Sequence, residues 1–530
     1  MLRALRALRA AAARRPRARH GASGPADPAQ ALLEGLGGRA AVDRERLRGF
    51  GAANAGDGDQ EETQTPMGPG PVRALLARLG APERDFAVVH VVGSKGKGST
   101  GAFVAAALRA AGHRVGVFSS PHVATVRERL SVAPDGAPVP LERFAALLAG
   151  HAPAVEAARA ERELSQFELL TALALKFFSE ERVDVAVVEA GLGGRDDATN
   201  VFPAANVVLA VLTTVDFEHT DVLGGSLAEI VTAKLAVAPP GTPVVVAPQL
   251  HAEVRPLVAA ALAGRCPAIF AADVLDLREA EAPGRTWRAG GAEAADAEPY
   301  WARIRLRDAA PPGDGAEGAL VFLRMLRRLQ ERGPLPLGLA GAPQLLNAAT
   351  ALVACVELAA VLRLEPRHLA CGLRAARLPG RLQRVWDAPL GRAVVLDGAH
   401  SPAAAALLTQ SLRGGEAFGA VLAMASDKDP GEFAENLLRL APQLRTLVCT
   451  RVPIAGGTQR SAAAADLAAA AAKAAKAGGD AAAGVEVGVA ETLEDALWAA
   501  AEGLPEGGTV LVTGSLYAVQ AYCRARQLEP

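Results

Sequence analysis

The chain has 530 residues, of which 50% are apolar and 21% are charged, and its net charge is −1. At about 150 residues per domain this length suits two or three domains, and the near-neutral charge argues against a dedicated nucleic-acid-binding protein. Because every long apolar run contains a charge, glycine or proline, we predict no membrane span, and five dispersed cysteines without a Cys-x-x-Cys pair predict reduced thiols rather than disulfides or a zinc site.

Residues 1–26 differ in composition from the rest of the chain. They contain seven arginines and no acidic residue, so the remaining chain carries a net charge of −8. An Ala- and Leu-rich basic segment that can form an amphipathic helix is typical of an organellar presequence, the alternative being a disordered basic tail. Because arginine far outnumbers serine, we expect a mitochondrial protein, with plastid and cytoplasm as alternatives. Residues 27–70, which are rich in Gly, Ala and acidic residues, predict a flexible lead-in that breaks at Pro-Met-Gly-Pro-Gly-Pro.

From Val72 onward, predicted helices and strands alternate. The β-branched run 87–93 predicts a buried strand, and residues 97–112 predict a helix that stops at a glycine. A strand at 113–120, a helix at 167–183 and strands within 184–194 and 205–215 continue the series. This alternation predicts a doubly wound parallel sheet.

The second half of the chain predicts a smaller α/β domain. Residues 272–335 are less regular and include a short alternating run at 301–308 that favours an antiparallel strand; a long apolar helix follows at 345–362. The Pro/Gly break at Arg377–Arg381 predicts a domain boundary. Beyond it, strands are predicted in four apolar runs at 393–400, 419–426, 446–450 and 509–514, and the Ala-rich tract 461–484 is helix-prone. The predicted parts are a presequence (1–26), a lead-in (27–70), a phosphate-loop domain (71–376) and a second domain (377–530).

The strongest motif lies between the first predicted strand and helix and reads Gly93-Ser94-Lys95-Gly96-Lys97-Gly98-Ser99-Thr100. Glycines let backbone N–H groups approach phosphate oxygens at a helix N-terminus, and Lys97 adds a positive charge. A hydroxyl at Ser99 or Thr100 suits a magnesium ion. The spacing is shorter than the usual Gly-x4-Gly-Lys-[Ser/Thr], and a glycine turn without a ligand is the alternative. The strand–turn–helix context nevertheless favours phosphate binding.

This motif and the ones that follow it resemble the folate-adding branch of the Mur ligase family, the dihydrofolate synthases and folylpolyglutamate synthases. The matching segments occur in the family's order: FSSPHVATVRERL (118–130), VVEAGLGGRDDATNV (187–201), EHTDVLG (218–224), the pair Gln344 and Asn347, PGR (379–381), LDGAHSP (396–402) and VTGSLY (512–517). The resemblance implies a Mur-ligase-like α/β fold, in which a P-loop parallel-sheet ATPase domain precedes a smaller Rossmann-like glutamate ligase domain. It also implies ATP-dependent amide formation with ATP held between the domains.

The resemblance implies two magnesium sites. Ser120, Glu189 and His219 match the protein ligands of the first, and Lys234 matches a lysine that the family carbamylates to hold the second. Glu189 also ends a buried strand, where open α/β sheets bind ligands, and a buried carboxylate without a partner is costly. At Lys234 the family's Lys-Ala-Gly is Lys-Leu-Ala, and Ala233 replaces an acidic residue. A solvated helix lysine is the alternative there, as an ordinary surface histidine is for His219.

The nucleotide contacts follow from the same resemblance. Asn347 matches an adenine-contacting asparagine, although Pro343 replaces the histidine that usually precedes Gln344. Arg381 matches an arginine that reaches the ATP phosphates from the domain junction. Asp397 matches a nucleotide-contacting carboxylate, and His400 in the same turn is expected to arrange the junction, with a structural turn histidine as the alternative.

Two segments match pterin contacts of the family: Ser165-Gln166-Phe167-Glu168 and Asp196-Asp197-Ala198. A phenyl ring at Phe167 offers a stacking face for a flat heterocycle, although an ordinary core position is the alternative. The pterin-contacting loop expected before the phosphate loop has no clear match in residues 65–73.

The implied reaction activates a pterin carboxylate as an acyl phosphate, which the amine of L-glutamate then attacks. Lys97, Lys234, Arg381 and His400 are the expected catalytic residues, ATP and Mg²⁺ the cofactors, and the protein is expected to be a monomer without nucleic-acid or membrane partners. GLGGRDDATN, AMASDKDP and SQFELLTAL resemble plant-type dihydrofolate synthases, which favours dihydropteroate as the acceptor. Polyglutamylation of folates, both activities together, a motor-type P-loop NTPase and an inactive folate-binding homologue remain alternatives.

Overall fold

The computed structural model describes residues 27–35, 68–281, 300–307, 316–412, 416–454, 458–478 and 484–528. The predicted presequence, residues 1–26, lies outside these ranges. The described residues form three sheets, one of seven, one of three and one of six strands.

The seven-stranded sheet forms the core of the first domain. Its strands are β1 (Ala87–Val92), β2 (Val115–Phe118), β3 (Leu130–Ser131), β4 (Val185–Glu189), β5 (Val207–Leu212), β6 (Val244–Val246) and β7 (Ala268–Phe270). They lie in the order β3-β2-β4-β1-β5-β6-β7, and every neighbouring pair is parallel except β2 and β3. The central strands are almost continuous runs of buried Val, Ala and Leu, as expected for a sheet covered on both faces. The predicted parallel sheet is confirmed.

Helices cover both faces of this sheet. They are α1 (Pro28–Gly35), α2 (Pro69–Arg78), α3 (Lys97–Ala110), α4 (Leu141–Glu161), α5 (Gln166–Glu180), α6 (Thr220–Leu223), α7 (Leu227–Leu235), α8 (Val254–Leu262), α9 (Ala271–Val274), α10 (Ala316–Glu331), α11 (Ala342–Leu362) and α12 (Pro366–Ala375). Helices α3, α11 and α12 pack on one face, and α1, α2, α4 and α5 share a core on the other. The alternating run predicted near residue 301 is confirmed as β9 (Tyr300–Leu306), which pairs antiparallel with β8 (Leu275–Glu279) and β10 (Leu335–Leu337).

The prediction that residues 27–70 form a flexible lead-in is wrong for helix α1. Its Ala29 and Leu33 lie one helical turn apart and are fully buried against the first domain. The Asp27 carboxylate accepts hydrogen bonds from the N–H groups of Ala29 (3.0 Å) and Val126 (2.8 Å), which anchors the start of the helix. Helix α2 likewise begins at Pro69, inside the predicted break, because proline suits the first turn of a helix. The lead-in residues 36–67 lie outside the described ranges.

The six-stranded sheet forms the second domain. Its strands are β11 (Gln383–Asp387), β12 (Arg392–Leu396), β13 (Phe418–Leu422), β14 (Leu444–Cys449), β15 (Glu486–Val489) and β16 (Thr509–Thr513), in the order β11-β12-β16-β13-β14-β15. Its helices are α13 (Pro402–Ser411), α14 (Pro430–Leu438), α15 (Ala464–Ala477), α16 (Leu493–Ala501) and α17 (Leu516–Ala525). The four predicted strands are present, but β11 and β15 were not predicted. Both are half-exposed edge strands that mix charged and apolar residues, so they lack the buried-strand pattern.

Helix α11 is long and apolar enough to cross a membrane by length and composition alone, and 61% of its most apolar window is buried inside the protein. Its residues form part of the core against the first sheet, which accounts for its apolar character. All five cysteines are free, in agreement with the predicted thiols.

Candidate active site

A cleft of about 900 Å³ lies between the two domains. It is lined by residues 94–99 after β1, residues 118–121 at the end of β2, Glu189 at the end of β4, the link 376–382, and the turn 397–401 after β12. Ligands of open α/β sheets bind at such carboxyl ends of parallel strands. The fold therefore brings the phosphate loop, the two predicted metal ligands Ser120 and Glu189, and the domain junction to one place.

The phosphate loop is held by the segment that follows the neighbouring strand β5. The N–H groups of Ser94 and Lys95 donate to the carbonyl of Thr214, at 2.8 and 3.1 Å. The Lys97 ammonium folds back on the loop and donates to the carbonyl oxygens of Gly93 (3.0 Å) and Ser94 (3.3 Å). The first N–H groups of α3, which have no partners within a helix, are thus presented beside a cation.

Two hydroxyls follow Lys97 in the sequence, and they differ in position. Ser99 lines the cleft, whereas Thr100 is fully buried and does not. The fold therefore favours Ser99 over Thr100 for a phosphate-bound cation.

Gly96 is the tightest point of the loop. Its φ is +89°, and a Cβ placed there would lie 2.3 Å from Oδ1 of Asn347. Asn347, in the first turns of α11, donates through Nδ2 to Oε1 of the buried Gln344 at 3.0 Å. The predicted adenine-contacting residue thus lies against the phosphate loop. The apolar side chains of Pro343 and Leu407 also line the cleft.

We expect Gly96→Ala to weaken ATP binding at least tenfold, because the new methyl group must displace Asn347 and the backbone must hold a positive φ. Isothermal titration calorimetry with ATP measures the effect. Gly112→Ala is the matched control, since Gly112 has a φ of +91° and open space around it. Equal loss in both variants would assign the effect to backbone strain alone.

Glu189 lies directly beside the phosphate loop. It is 7% exposed, and its Oε2 accepts a hydrogen bond from the Ser120 N–H at 3.2 Å. A Cβ on Gly98 would lie only 3.4 Å from the same oxygen. Burial raises the pKa of Glu189, although the nearby Lys97 and Arg381 charges oppose the shift. A metal cation bound to this carboxylate would offset the cost of burying its negative charge.

The donor set at this point fits magnesium. The Glu189 carboxylate, the Ser120 hydroxyl and the Ser99 hydroxyl are hard oxygen donors near the phosphate loop, and Mg²⁺ prefers such ligands together with phosphate oxygens. His219 is exposed on the turn that begins α6 and is not among the residues that line the cleft. The fold therefore brings together Ser120 and Glu189 of the predicted set, but not His219.

Lys234 is buried rather than solvated. It is 1% exposed, and its ammonium donates to the carbonyl of Gly93 (3.0 Å) and to Oε1 of Glu218 (3.3 Å). Burial lowers the pKa of Lys234 to about 8; Glu218 opposes the shift and Lys97 adds to it. The alternative of a solvated helix lysine is wrong. Glu218, which also lines the cleft, was not among the predicted residues, although its place next to the predicted ligand His219 was a signal for it.

Arg381, Asp397 and His400 meet at the domain junction. The Asp397 carboxylate accepts hydrogen bonds from the N–H groups of Leu382 and Ala399, both at 2.9 Å, so it ties the link to the turn after β12. Burial raises the pKa of Asp397, and the Arg381 charge opposes this. His400 is exposed and hydrogen-bonds the Gly398 carbonyl through Nδ1 at 2.9 Å, and all three residues line the cleft.

The segment Ser165-Gln166-Phe167-Glu168 begins helix α5. Ser165 and Glu168 are fully buried and form a reciprocal capping box, with distances of 3.1 and 2.7 Å. The ring of Phe167 is half-buried, and its centroid lies 5.7 Å from that of the Phe118 ring. It also lies against Gly191, where an added Cβ would be only 2.5 Å from Cζ of Phe167. Two of the four predicted substrate residues thus shape the helix end, while Phe167 packs against the turn after β4.

In the second predicted segment, Asp197 and Ala198 are buried and Asp196 is half-buried. Oδ2 of Asp197 accepts from the Leu192 N–H at 2.6 Å, and Oδ1 accepts from the Thr199 N–H at 2.9 Å and the Thr199 hydroxyl at 2.5 Å. Asp197 therefore orders its own turn.

Residues 120–129 join the two domains. Ser120 is the one residue among them with a predicted role. Residues 120–129 leave β2, and Val123 is buried in the core of the second domain beside Gly380. Glu128 holds this segment in shape by accepting from the N–H groups of Val123 (2.8 Å) and Ala124 (2.6 Å).

Comparison with known proteins agrees with this geometry. Residues 380–516 match the family described as Mur ligase, glutamate ligase domain. The chain is 32% identical over 372 residues to the dihydrofolate synthase/folylpolyglutamate synthase of Mycobacterium tuberculosis, covering 67% of this chain and 68% of that protein. The solved M. tuberculosis folylpolyglutamate synthase complexed with ADP and AMPPCP superposes with a TM-score of 0.65 at 27% identity, covering 86% of this chain and 94% of that one.

Other relatives are longer than the matched region. The chain is 32% identical over 471 residues to a probable bifunctional folylpolyglutamate synthase/dihydropteroate synthase of Haloferax volcanii, covering 87% of this chain but 48% of that protein. A shorter match covers 41% of the Bacillus subtilis dihydrofolate synthase/folylpolyglutamate synthase. The matched part of the chain thus spans less than half the length of each of these two relatives.

Proposed function

The chain belongs to the dihydrofolate synthase/folylpolyglutamate synthase family, and we propose that it is an ATP-dependent ligase that joins L-glutamate to the carboxylate of a pteroyl acid. One observation carries this proposal. The phosphate loop and Glu189 of the first domain face Arg381 and Asp397 of the second across a single cleft. A nucleotide bound there would have cations on both sides of its phosphates.

The proposed chemistry has two steps. A carboxylate oxygen of the pteroyl acid attacks the γ-phosphorus of ATP, which forms an acyl phosphate and releases ADP. The amine of L-glutamate then attacks the acyl carbon, the amide forms, and phosphate leaves as the amine loses a proton. No protein nucleophile is required, so the protein's task is to position the reactants and stabilise charge.

Each proposed role follows from a position in the cleft. Lys97 and the first turn of α3 bind the β- and γ-phosphates, and Arg381 contacts them from the second domain. Asn347 and the apolar lining residues Pro343 and Leu407 hold the base. Magnesium, held by Ser120 and Glu189, would offset the repulsion between the anionic carboxylate and phosphate.

We propose that Lys234 holds a second magnesium as its carbamate. A buried amine with a pKa of about 8 is partly neutral near physiological pH, and the neutral amine is the form that adds CO₂ with loss of a proton. The carbamate would supply anionic oxygen ligands, which magnesium prefers to an ammonium.

Closure of the two domains would protect the acyl phosphate. The cleft opens between them, and the Asp397 hydrogen bonds to Leu382 and Ala399 join the link to the second domain. Exclusion of water at this step prevents hydrolysis of the reactive intermediate.

We favour dihydropteroate as the acceptor, with tetrahydrofolate and its polyglutamates as the second candidate because several relatives carry both activities in their names. Purified protein should release ADP only when ATP, L-glutamate and a pteroyl acid are all present. We expect faster turnover with dihydropteroate than with tetrahydrofolate. Activity with tetrahydrofolate alone would reassign the acceptor.

The same assay distinguishes the remaining alternatives. ADP release without glutamate would indicate a P-loop ATPase. No ADP release under any condition, with ATP binding retained, would indicate an inactive nucleotide-binding homologue.

A further inference from the structure

A chain of buried hydrogen bonds links β1 to the turn that follows β4. Nε2 of His90 lies 2.9 Å from Oγ1 of Thr199, whose hydroxyl lies 2.5 Å from Oδ1 of Asp197. His90, Thr199 and Asp197 are 1%, 0% and 4% exposed. His90 has no role in the sites described above, and it lies 109 positions from Thr199 in the sequence.

The direction of these hydrogen bonds follows from counting the protons that each group can donate. A carboxylate only accepts, so the single hydroxyl proton of Thr199 is donated to Asp197. Oγ1 of Thr199 must then accept from His90, which requires a neutral imidazole with its proton on Nε2. Burial lowers the pKa of His90 to about 3, so the imidazole keeps this neutral form at working pH.

One end of this series of hydrogen bonds lies on β1, the strand that leads to the phosphate loop, and the other lies in the turn after β4. His90 stands three residues before Gly93, so about 10 Å of rigid strand separates it from the phosphate loop. Asp197 also accepts from the Leu192 N–H at 2.6 Å and thereby closes the turn 191–199. That turn packs through Gly191 against Phe167, the predicted stacking face for the pterin.

We propose that His90 and Thr199 are positioning residues for the pteroyl acid. They fix the position of the turn 191–199 relative to the phosphate loop, so that the substrate carboxylate lies at the γ-phosphate. This proposal rests on the function proposed above. Misplacing a reactant by about 1 Å can cost about 10²-fold in rate, even when the change lies outside the reacting groups.

The test is a steady-state comparison with dihydropteroate, ATP and L-glutamate each varied in turn. Thr199→Val removes the hydroxyl but keeps the shape of the side chain. We expect it to raise the KM for dihydropteroate at least tenfold and to lower kcat, while the KM for ATP changes less than twofold. Thr199→Ser keeps the hydroxyl and should restore both constants to within about threefold of the wild type.

A double-mutant cycle tests the coupling between the two residues. His90→Leu should resemble Thr199→Val, and the double variant should be no worse than the poorer single variant, because both changes break one chain. Thr409→Val is the control for loss of a buried threonine hydroxyl. Thr409 donates to carbonyls of Ala405 and Asn436 in the second domain, so its loss should lower stability but not change the KM for dihydropteroate.

A normal KM for dihydropteroate in Thr199→Val, an equal rise in the KM for ATP, or additive effects in the double variant would overturn the proposal. Failure of the proposed function gives a different result, since the wild-type protein itself would then show no glutamate-dependent ADP release.

Discussion

Replacing Lys97 by methionine should lower glutamate-dependent ADP release by about 10²–10³-fold, the loss typical of removing one group that stabilises developing charge. The Lys97 ammonium lies in the loop's own concavity, bonded to the carbonyl oxygens of Gly93 and Ser94. Bound phosphate oxygens would meet it there together with the first N–H groups of α3. Steady-state kinetics with the ATP concentration varied measure both kcat and KM.

Lys95→Met is the matched control in the same loop. The Lys95 ammonium points to Asp216, at 2.5 Å, and its side chain is 48% exposed. We therefore expect a loss of less than about tenfold. If the two methionine variants were equally impaired, general distortion of the loop would explain the result and the specific role of Lys97 would be wrong.

Replacing Lys234 by methionine should reduce turnover by about 10²-fold without destabilising the protein at pH 7. Lowering the Lys234 pKa from 10.5 to about 8 corresponds to about 3 kcal/mol of unfavourable burial of the charged form. The interaction with Glu218 is already included in this pKa, so only the hydrogen bond to the Gly93 carbonyl, worth about 1 kcal/mol, is set against the gain. Thermal unfolding and kinetics on the same preparation measure the two effects.

The pH dependence of stability gives a second readout for Lys234. Between pH 8 and 10.5 the unfolded chain holds a proton on this residue that the folded chain has lost, so Lys234 makes the free energy of unfolding rise with pH in that window. Below pH 8 both states are protonated and the full cost of burial applies. In protein prepared without magnesium and CO₂, in which Lys234 is the free amine, the wild type should therefore gain stability relative to Lys234→Met between pH 8 and 10.

Lys473→Met in the Ala-rich helix α15 is the control, because Lys473 is exposed. It should change neither turnover nor the slope of stability with pH. Full activity of Lys234→Met would exclude the proposed carbamate.

The sequence predicted those parts of the site that are local. The phosphate loop is one contiguous turn between a strand and a helix, so the pattern of the sequence located it. Glu189 was assigned through the family resemblance, and its place as the last residue of a buried strand supported that assignment. The expected antiparallel strand near residue 301 was likewise visible as a short alternation.

The parts that were not predicted depend on contacts between distant segments. Glu218 meets Lys234 only because α6 and α7 follow β5 at one end of the sheet, and His90 meets Thr199 only through the pairing of β1 with β4. Strand β11 was missed because exposed Arg384 and Trp386 alternate with half-buried Gln383 and Val385 at a sheet edge, so it has no apolar buried face. Helix α1 was missed because eight residues with two buried side chains give too weak a periodic signal.

The position of Val123 also bears on how the protein is made. This residue belongs to the first domain in sequence, yet its side chain completes the apolar core of the second. During synthesis the segment 120–129 leaves the ribosome long before β12 and β16. Val123 therefore stays without its packing partners until the second domain has been synthesised. A fragment that begins at Arg377 would lack Val123 and expose an apolar gap, so the second domain is expected to mature only when the first is already attached.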